Sequence, residues 1–545
     1  MGNVFTLKKE VNINSSVKTC ASILVETLET LGVESIFGYP GASVLSIYNE
    51  LSNSKKIKHY LVRHEQAAIH AAEGYARVSG KAGTVLVTSG PGFTNTITGI
   101  ANAYADYTPL VVLTGVVPNE KNNGKVFQNV DIVSMTQSCT KKTYIITKND
   151  DVAQVIKEAY KLAASGIKGP VVIGLPRNVL ESKYLPKQKV SFLEKEVKSD
   201  INKNVNKFIS LLKSSKNPLI LAGGGASNSS ENVIKLAKLL NCPVVSTLMG
   251  IGVFPSDSEN YAGMIGINGT YTANKILSNS DLVIALGVSF SDRSTCKNSK
   301  FARNAKVVSV NLKNISHICE LKINSSVNDF INSVLSKNII YTNSGYLQKQ
   351  IKIFKEEECV SENNSENLHS SFVLKTISEF TKTKEPVVVT DVGQHQMLTA
   401  QYFNFNKPRK FITSGGLGTM GFGLPASIGA YIADRHSLIL NITGDGSYQM
   451  NLQELATCRE HNIPVKIIIM NNGYLGMVRQ MQEKIYQNTY QVEMTNPDFK
   501  KIAEAYDLFA IRVTKKENLI PALNKAFEHK GTAIVDILID SHEEI

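Results

Sequence analysis

Long apolar runs are missing from this 545-residue chain. None approaches the roughly 20 residues that a membrane-spanning helix needs, so no membrane partner is expected. Paired cysteines are missing too. The seven thiols, at positions 20, 139, 242, 296, 319, 359 and 458, form no CxxC pair and no metal-ligand cluster. Their odd number and wide spacing point to reduced thiols in a reducing compartment. Met1 to Ser16 carry no apolar signal-peptide core, which makes the cytoplasm the expected location. Acidic residues are outnumbered, 47 against 59 Lys and Arg, for a formal charge of +12. The excess is spread along the chain, and no basic run is interleaved with aromatics. It therefore reads as solvated Lys-rich surface, and no nucleic acid is expected.

What is present is alternation. Apolar runs that read as strands recur between helical patterns: Ser35–Gly38, Thr84–Thr88, Leu110–Thr114 and Val171–Leu175, then Pro218–Ala222, Val244–Thr247, Leu282–Leu286 and Val307–Val310. Four more follow, near Val387–Thr390, Leu438–Ile442, Val465–Met470 and Ala533–Ile537. Strands alternating with helices predict an α/β chain of doubly wound parallel sheets. Two polar stretches, Glu181–Asn206 and Lys355–Asn367, read as linkers. They divide the chain into three domains, 16–185, 200–340 and 368–545, each of ordinary size.

Chemistry is concentrated at the strand ends, where open α/β sheets bind ligands. Gly444-Asp445-Gly446-Ser447 follows one strand of the third block, and Asn471-Asn472 follows the next. The glycines let backbone approach phosphate oxygens, and a carboxylate with an amide oxygen suits Mg²⁺. A helix over Tyr448–Asn462, with Leu452, Leu455, Ala456 and Arg459 at i, i+3, i+4 and i+7, would turn its N-terminus toward a diphosphate. In the first block a strand over Tyr60–Glu65 leads into a helix over Gln66–Ser79, so Glu65 is either a helix-capping charge or a functional carboxylate. Ser89-Gly-Pro-Gly92 is either a tight turn or a place where a cofactor ring lies against backbone.

These segments resemble one family. GYPGASVLSIYNEL (38–51), RHEQAAIHAAEGYARVSGK (63–81), TSGPGFTNTITGIANAY (88–104), FQNVDIV (127–133), DVGQHQM (391–397), TSGGLGTMGFGLPASIGA (413–430), GDGSYQMNLQELAT (444–457) and NNGYLGMVRQ (471–480) are similar to the catalytic subunits of acetolactate (acetohydroxyacid) synthases, within the thiamine diphosphate enzymes. The resemblance runs over essentially the whole chain. It implies a pyrimidine-binding domain, a central FAD-type domain and a diphosphate-binding domain. It further implies Glu65 as the carboxylate on the cofactor pyrimidine, and Mg²⁺ held by Asp445, Asn472 and the carbonyl of Tyr474. Met420 would prop the cofactor in its bent shape, and Gln128 and Lys141 would stand near the reacting carbons. Cofactor contacts carry over to Gly41, Asn95, Gln394, His395, Gly418, Gly444, Gly446, Ser447, Gly476 and Met477. The implied reaction decarboxylates pyruvate and ligates its hydroxyethyl unit to a second 2-keto acid, pyruvate or 2-oxobutyrate. Implied partners are a second copy of the chain, in a homodimer or homotetramer with interface sites, and a small regulatory subunit.

Departures from the family pattern leave two points open. No tryptophan occurs in the chain, and Met481 stands in the segment where the family carries one, so the acceptor is unsettled. An aldehyde or keto sugar acceptor, or simple 2-keto acid decarboxylation, is the alternative. Gly223, Gly224, Thr247, Leu248, Gly266, Asp292 and Arg293 fit the family's FAD site. Ile167, Asn268, Ser289, Ser291 and Asn311 to Asn314 depart from it, and two guanidinium partners are lost. Bound FAD and an empty central domain are both open readings.

Overall fold

A computed structural model describes residues 18–117, 126–186, 192, 201–296, 301–313, 317–359 and 368–545. Within them the chain forms three six-stranded sheets. The first contains β1 (Ser35–Gly38), β2 (Lys58–Leu61), β3 (Gly83–Val87), β4 (Leu110–Val116), β5 (Lys142–Ile145) and β6 (Pro170–Pro176), in the order β2-β1-β3-β4-β6-β5. The second contains β7 (Pro218–Ala222), β8 (Val244–Ser246), β9 (Tyr261–Met264), β10 (Leu282–Leu286), β11 (Lys306–Asn311) and β12 (Leu321–Asn324), in the order β12-β11-β10-β7-β8-β9. The third contains β13 (Val387–Thr390), β14 (Phe411–Ile412), β15 (Ile439–Gly444), β16 (Lys466–Asn471), β17 (Phe509–Val513) and β18 (Ala533–Leu538), in the order β14-β13-β15-β16-β18-β17. Every pairing is parallel, as the alternation predicts. No helix among the described residues is long and apolar enough to cross a membrane.

The interior strands form because their residues are apolar and largely β-branched on both faces. Those of β4, β7, β10, β13 and β16 are buried almost throughout, as parallel strands covered by helices on both sides must be. The first and third sheets share one strand order, whereas the second has the order of dinucleotide-binding folds. In each sheet the winding first reverses beside the opening strand: between β1 and β3, between β7 and β10, and between β13 and β15. The candidate residues gather beside those three crevices.

The first and third sheets are joined within the chain by one continuous core, which runs from Phe37, Val85 and Phe93 to Val389, Phe422 and Ile469. Its seam is a crossing of two helices, Glu65–Ser79 and Gly423–Ala433. Glycine permits the close approach. A Cβ added at Gly74 would stand 1.9 Å from the Ala426 carbonyl oxygen, and one at Gly429 would stand 1.7 Å from that of Ala71.

Three local expectations change. Helices run into both stretches read as linkers: Ile201–Ser214, which buries Val205 within the first, and Tyr346–Cys359, whose buried Leu347 and Ile351 precede the second. Residues 360–367 lie outside the described set. The helix expected over Tyr448–Asn462 is broken into Asp445–Tyr448, a 3-10 turn at Leu452–Glu454 and a helix Leu455–His461. The break occurs where the Asn451 side chain turns aside to donate to the Gly421 carbonyl at 2.7 Å. The strand expected to run to Glu65 stops at Leu61, and Glu65 is the first residue of the following helix.

Candidate active site

After β2 the chain bends through Val62, Arg63 and His64. His64 caps the next helix, its ring Nδ1 accepting from the Gln66 amide at 3.1 Å. Glu65 therefore stands at a helix start, where a carboxylate is favoured, and its Oε2 accepts from Asn95 Nδ2 at 2.9 Å. The Gly-Pro-Gly turn lies alongside. A Cβ at Gly92 would sit 3.5 Å from Glu65 Oε1 and 2.6 Å from Thr88 Cγ2, while one at Gly41 would sit 2.5 Å from Thr88 Oγ1. Gly90 (φ +62°) packs directly on Gln128, itself left-handed at φ 59°. Glu65, Asn95, Gly41 and Gln128 are thus brought to one edge of the first sheet. Lys141 is not part of this set. Its Nζ donates to the carbonyls of Leu162 (2.6 Å) and Ser165 (2.8 Å), closing the C-terminal end of the helix Val152–Ala164. The ammonium is held by orphan helix carbonyls, which gives it a structural task.

On the third sheet, Asp445 follows β15 and Asn472 follows β16. Asp445 Oδ2 accepts from the Gly473 amide (2.9 Å) and from Asn496 Nδ2 (2.6 Å). Burial pushes its carboxyl up, and those same bonds pull it partly back. Asn472 Oδ1 accepts from the Tyr474 amide at 3.0 Å, and its Nδ2 donates to Gln394 Oε1 at 3.2 Å. Gly476 is required here, since a Cβ would overlap Gln394 Oε1 at 1.8 Å. Gly446 faces Leu475 and Met494, and Ser447 Oγ donates to the Val392 carbonyl at 2.9 Å. His395 is buried against the backbones of Gly393 and Gly444, its Nε2 without a hydrogen-bond partner. Desolvation takes its imidazole down to about 3, so the ring is neutral. Met477, one residue beyond Gly476, is half-buried.

The loop that carries Gly418 and Met420 is tied at both ends. The amides of Gly415 and Gly416 donate to Asp106 of the first domain (3.0 and 2.7 Å). Those of Gly421 and Gly423 donate to the buried Asp391 (2.8 and 3.0 Å). Met420, between these anchors, is half-buried, and Gly418 adopts φ +74°. On the central sheet, Gly223, Gly224, Thr247, Leu248, Gly266, Asp292 and Arg293 follow the ends of β7 to β10. Beyond these strand ends the Gly223 amide donates to Leu286 O (2.9 Å), continuing the β7–β10 ladder, and the Gly225 amide to Gly287 O (3.0 Å).

The sequence matches three family descriptions in turn: thiamine pyrophosphate enzyme, N-terminal TPP binding domain over residues 18–135, central domain over 205–333, and C-terminal TPP binding domain over 391–537. It is 39% identical to the acetolactate synthase large subunit of Buchnera aphidicola from Acyrthosiphon pisum, covering 96% of this chain and 95% of the relative. It is 38% identical to the acetolactate synthase isozyme 3 large subunit of Escherichia coli K12, with the same coverage. The chloroplastic acetolactate synthase of Arabidopsis thaliana is 37% identical, over 96% of this chain and 82% of the relative. The chain belongs to the acetolactate synthase large subunits. It is accordingly a thiamine diphosphate-dependent transferase that forms carbon–carbon bonds.

Within this acetolactate synthase subunit, three residues near the site carry roles that their sequence segments did not announce. Asn496 grips Asp445 and also donates to Asn471 Oδ1 at 3.0 Å; its one sequence cue is the turn-forming Asn-Pro pair. Arg479 is buried, stacks over the Tyr474 ring at 5.3 Å and donates to the Ser541 carbonyl. Glu454 is fully buried and reaches across to the first domain. Met481, by contrast, is 55% exposed on one chain, so a pocket around it needs a covering surface.

Proposed function

We propose that this chain decarboxylates pyruvate and joins the two-carbon remainder to a second 2-keto acid, with pyruvate as the default acceptor and 2-acetolactate as the product. The observation that carries the reading is the pairing of two clusters on sheets of identical strand order: Glu65 with Asn95 at one, Asp445 with Asn472 at the other. When bound, thiamine diphosphate supplies the electron sink that makes loss of CO₂ from a 2-keto acid feasible. The chain's residues do the rest. Glu65, steadied by a neutral amide donor, would hold the proton shared with N1′ of the pyrimidine. Asp445, Asn472 Oδ1 and the Tyr474 carbonyl form an all-oxygen set of the kind Mg²⁺ prefers, and would anchor the diphosphate through it. Met420, on a loop tethered to Asp106 and Asp391, would press against the cofactor, and Gln128 would face the reacting carbons.

The reading includes a homodimer in which each site is completed by the second copy. Exposure of Met481 and Phe127 (55% and 84%) on the isolated chain supports the same arrangement. The name "large subunit" borne by the bacterial relatives points to a separate smaller subunit as a further partner. A flavin dinucleotide fits the residues present poorly. Arg293 is the one guanidinium among the seven residues that follow β7 to β10. No step is assigned to a flavin.

The test is product identification after incubation with Mg²⁺, thiamine diphosphate and pyruvate, with and without 2-oxobutyrate. 2-Acetolactate from pyruvate alone is expected; acetaldehyde or acetate as the sole product would overturn the reading. Glu65→Gln should abolish both product and C2-proton exchange of the bound cofactor, and an unchanged exchange rate would remove Glu65 from the mechanism.

A further inference from the structure

Two backbone amides in the bend before Glu65 have no partner in sheet or helix. β2 ends at Leu61, the Val62 amide makes a last bond to the Gly38 carbonyl (3.3 Å), and the helix supplies acceptors only further on. The Arg63 and His64 amides that remain need an acceptor from elsewhere in the chain. Both point at a single oxygen of a residue about 390 positions away: Glu454 Oε1 accepts from Arg63 N at 2.9 Å and from His64 N at 3.1 Å. Its Oε2 accepts from Thr457 Oγ1 at 2.7 Å, and that hydroxyl also lies 3.2 Å from the Leu61 carbonyl. Glu454 has no exposed surface. Burying a carboxylate is expensive unless it is hydrogen-bonded, and here the acceptor capacity is spent on the two residues that lead into Glu65.

We propose that Glu454 is a positioning residue for Glu65: a carboxylate of the third domain that fixes the Arg63–His64 backbone on which Glu65 stands. The inference rests on the reading of Glu65 given above. Neighbouring contacts orient the same bend. Arg63 Nη2 pairs with Glu460 at 2.6 Å, the His461 ring packs edge-on against Tyr60 at 5.1 Å, and Arg435 donates to the Tyr60 hydroxyl at 2.6 Å. These are side-chain contacts, and among the described residues only Glu454 reaches the Arg63 and His64 amides. The same short segment begins with Asp445 nine residues earlier and is pinned midway by the Asn451 bond to Gly421. One stretch of chain thus holds the metal cluster at one end and the seat of Glu65 at the other. Desolvation pushes the Glu454 carboxyl up to about 7, against the pull of Thr457, Arg63 and His64.

The variants are Glu454→Gln and Glu454→Ala. Glutamine keeps an oxygen for both amides, and its N–H can donate to Thr457 while the hydroxyl turns to Leu61. Alanine leaves both amides buried without an acceptor. Amide hydrogen exchange over Val62–Gln66, read by mass spectrometry on cofactor-free protein, should quicken on the order of tenfold or more in Glu454→Ala and stay near wild type in Glu454→Gln. With thiamine diphosphate and Mg²⁺ bound, Glu454→Ala should lower C2-proton exchange and kcat by roughly ten- to a hundredfold with KM for pyruvate little changed, and Glu454→Gln should restore both. Fast amide exchange with normal C2 exchange, or Gln as impaired as Ala, would overturn the proposal. Should the Ala protein not fold, Glu454→Asp, whose shorter side chain cannot reach both amides, takes its place under the same criteria. Failure of the Glu65 reading is distinguishable, because it shows in Glu65→Gln whatever happens at residue 454.

Discussion

Gly74→Ala and Gly429→Ala each place one methyl group in the crossing that joins the first and third domains. An added Cβ at Gly74 would lie 1.9 Å from Ala426 O and 2.7 Å from its carbonyl carbon; at Gly429 it would lie 1.7 Å from Ala71 O and 2.8 Å from Tyr75 N. These neighbours are helix backbone and cannot rotate away. To reach ordinary carbon–oxygen contact the helices must part by roughly 1.4 Å. A gap of that size forfeits more than half of each dispersion contact along the seam, which includes Ala68, Ala72, Ile428 and Ala430. Alanine would gain about 1 kcal/mol of helix propensity, so the net loss depends on the clash outweighing it. Overpacking against rigid backbone at the upper end of the usual range, about 3 kcal/mol, less that gain, puts each single variant near 2 kcal/mol. With an unfolding entropy of about 1.1 kcal/mol/K for a chain this long, that is a fall in Tm of about 2 °C. The double variant carries the sharper expectation. Once the helices have parted for one methyl the second enters the same gap, so the combined loss should fall short of the sum by about 1 kcal/mol or more. Calorimetry on the two singles and the double, in parallel with C2-proton exchange of the bound cofactor, measures this. Additive losses, or a single variant as stable as wild type, would mean that the crossing yields locally and does not set the helix separation.

Asn496→Ala removes the donor that orients Asp445, and should weaken Mg²⁺-dependent thiamine diphosphate binding on the order of ten- to a hundredfold without lowering Tm, as read by cofactor titration. The second expectation concerns pH. Glu454 stands at about 7 in the folded chain against 4.5 ordinarily, so between those values the folded state keeps a proton that the unfolded state releases. Stability then falls as pH rises through this window, and neutral Glu454→Gln escapes the loss. The stability difference between variant and wild type should therefore shift in favour of Gln by about 3 kcal/mol from pH 4.5 to pH 8, and a flat difference would mean the carboxylate is ionised throughout.

Strands with neighbours on both sides are legible from sequence alone, and the reason is solvent. β4, β7, β10 and β16 read as unbroken apolar runs because both faces are covered. β5, β12 and β17 lie at sheet edges, carry exposed residues such as Lys142, Lys322 and Arg512, and escape notice. The glycine and carboxylate motifs at β15 and β16 are legible for a related reason, since a ligand-facing turn tolerates few residue types. Long-range partners are not legible. Nothing in the order of residues says that Glu454 will meet Arg63, that Asn496 will meet Asp445, or that Lys141 will be consumed by the carbonyls of Leu162 and Ser165. Those are properties of the assembled sheets, and local pattern carries no trace of them.

The shared core of the first and third domains also sets a schedule for synthesis. The Glu65–Ser79 helix offers Ala67, Ala68, Ala71, Gly74 and Tyr75 to a partner that lies about 350 residues downstream, at Gly423–Ala433. At translation rates of about 5–20 residues per second, that apolar face waits on the order of 20–70 seconds after leaving the ribosome. The central domain, with a core of its own, can close during the interval. The nascent chain therefore passes through a stage in which its middle is folded while its beginning is still exposed, which is the stage at which a holding chaperone would find it.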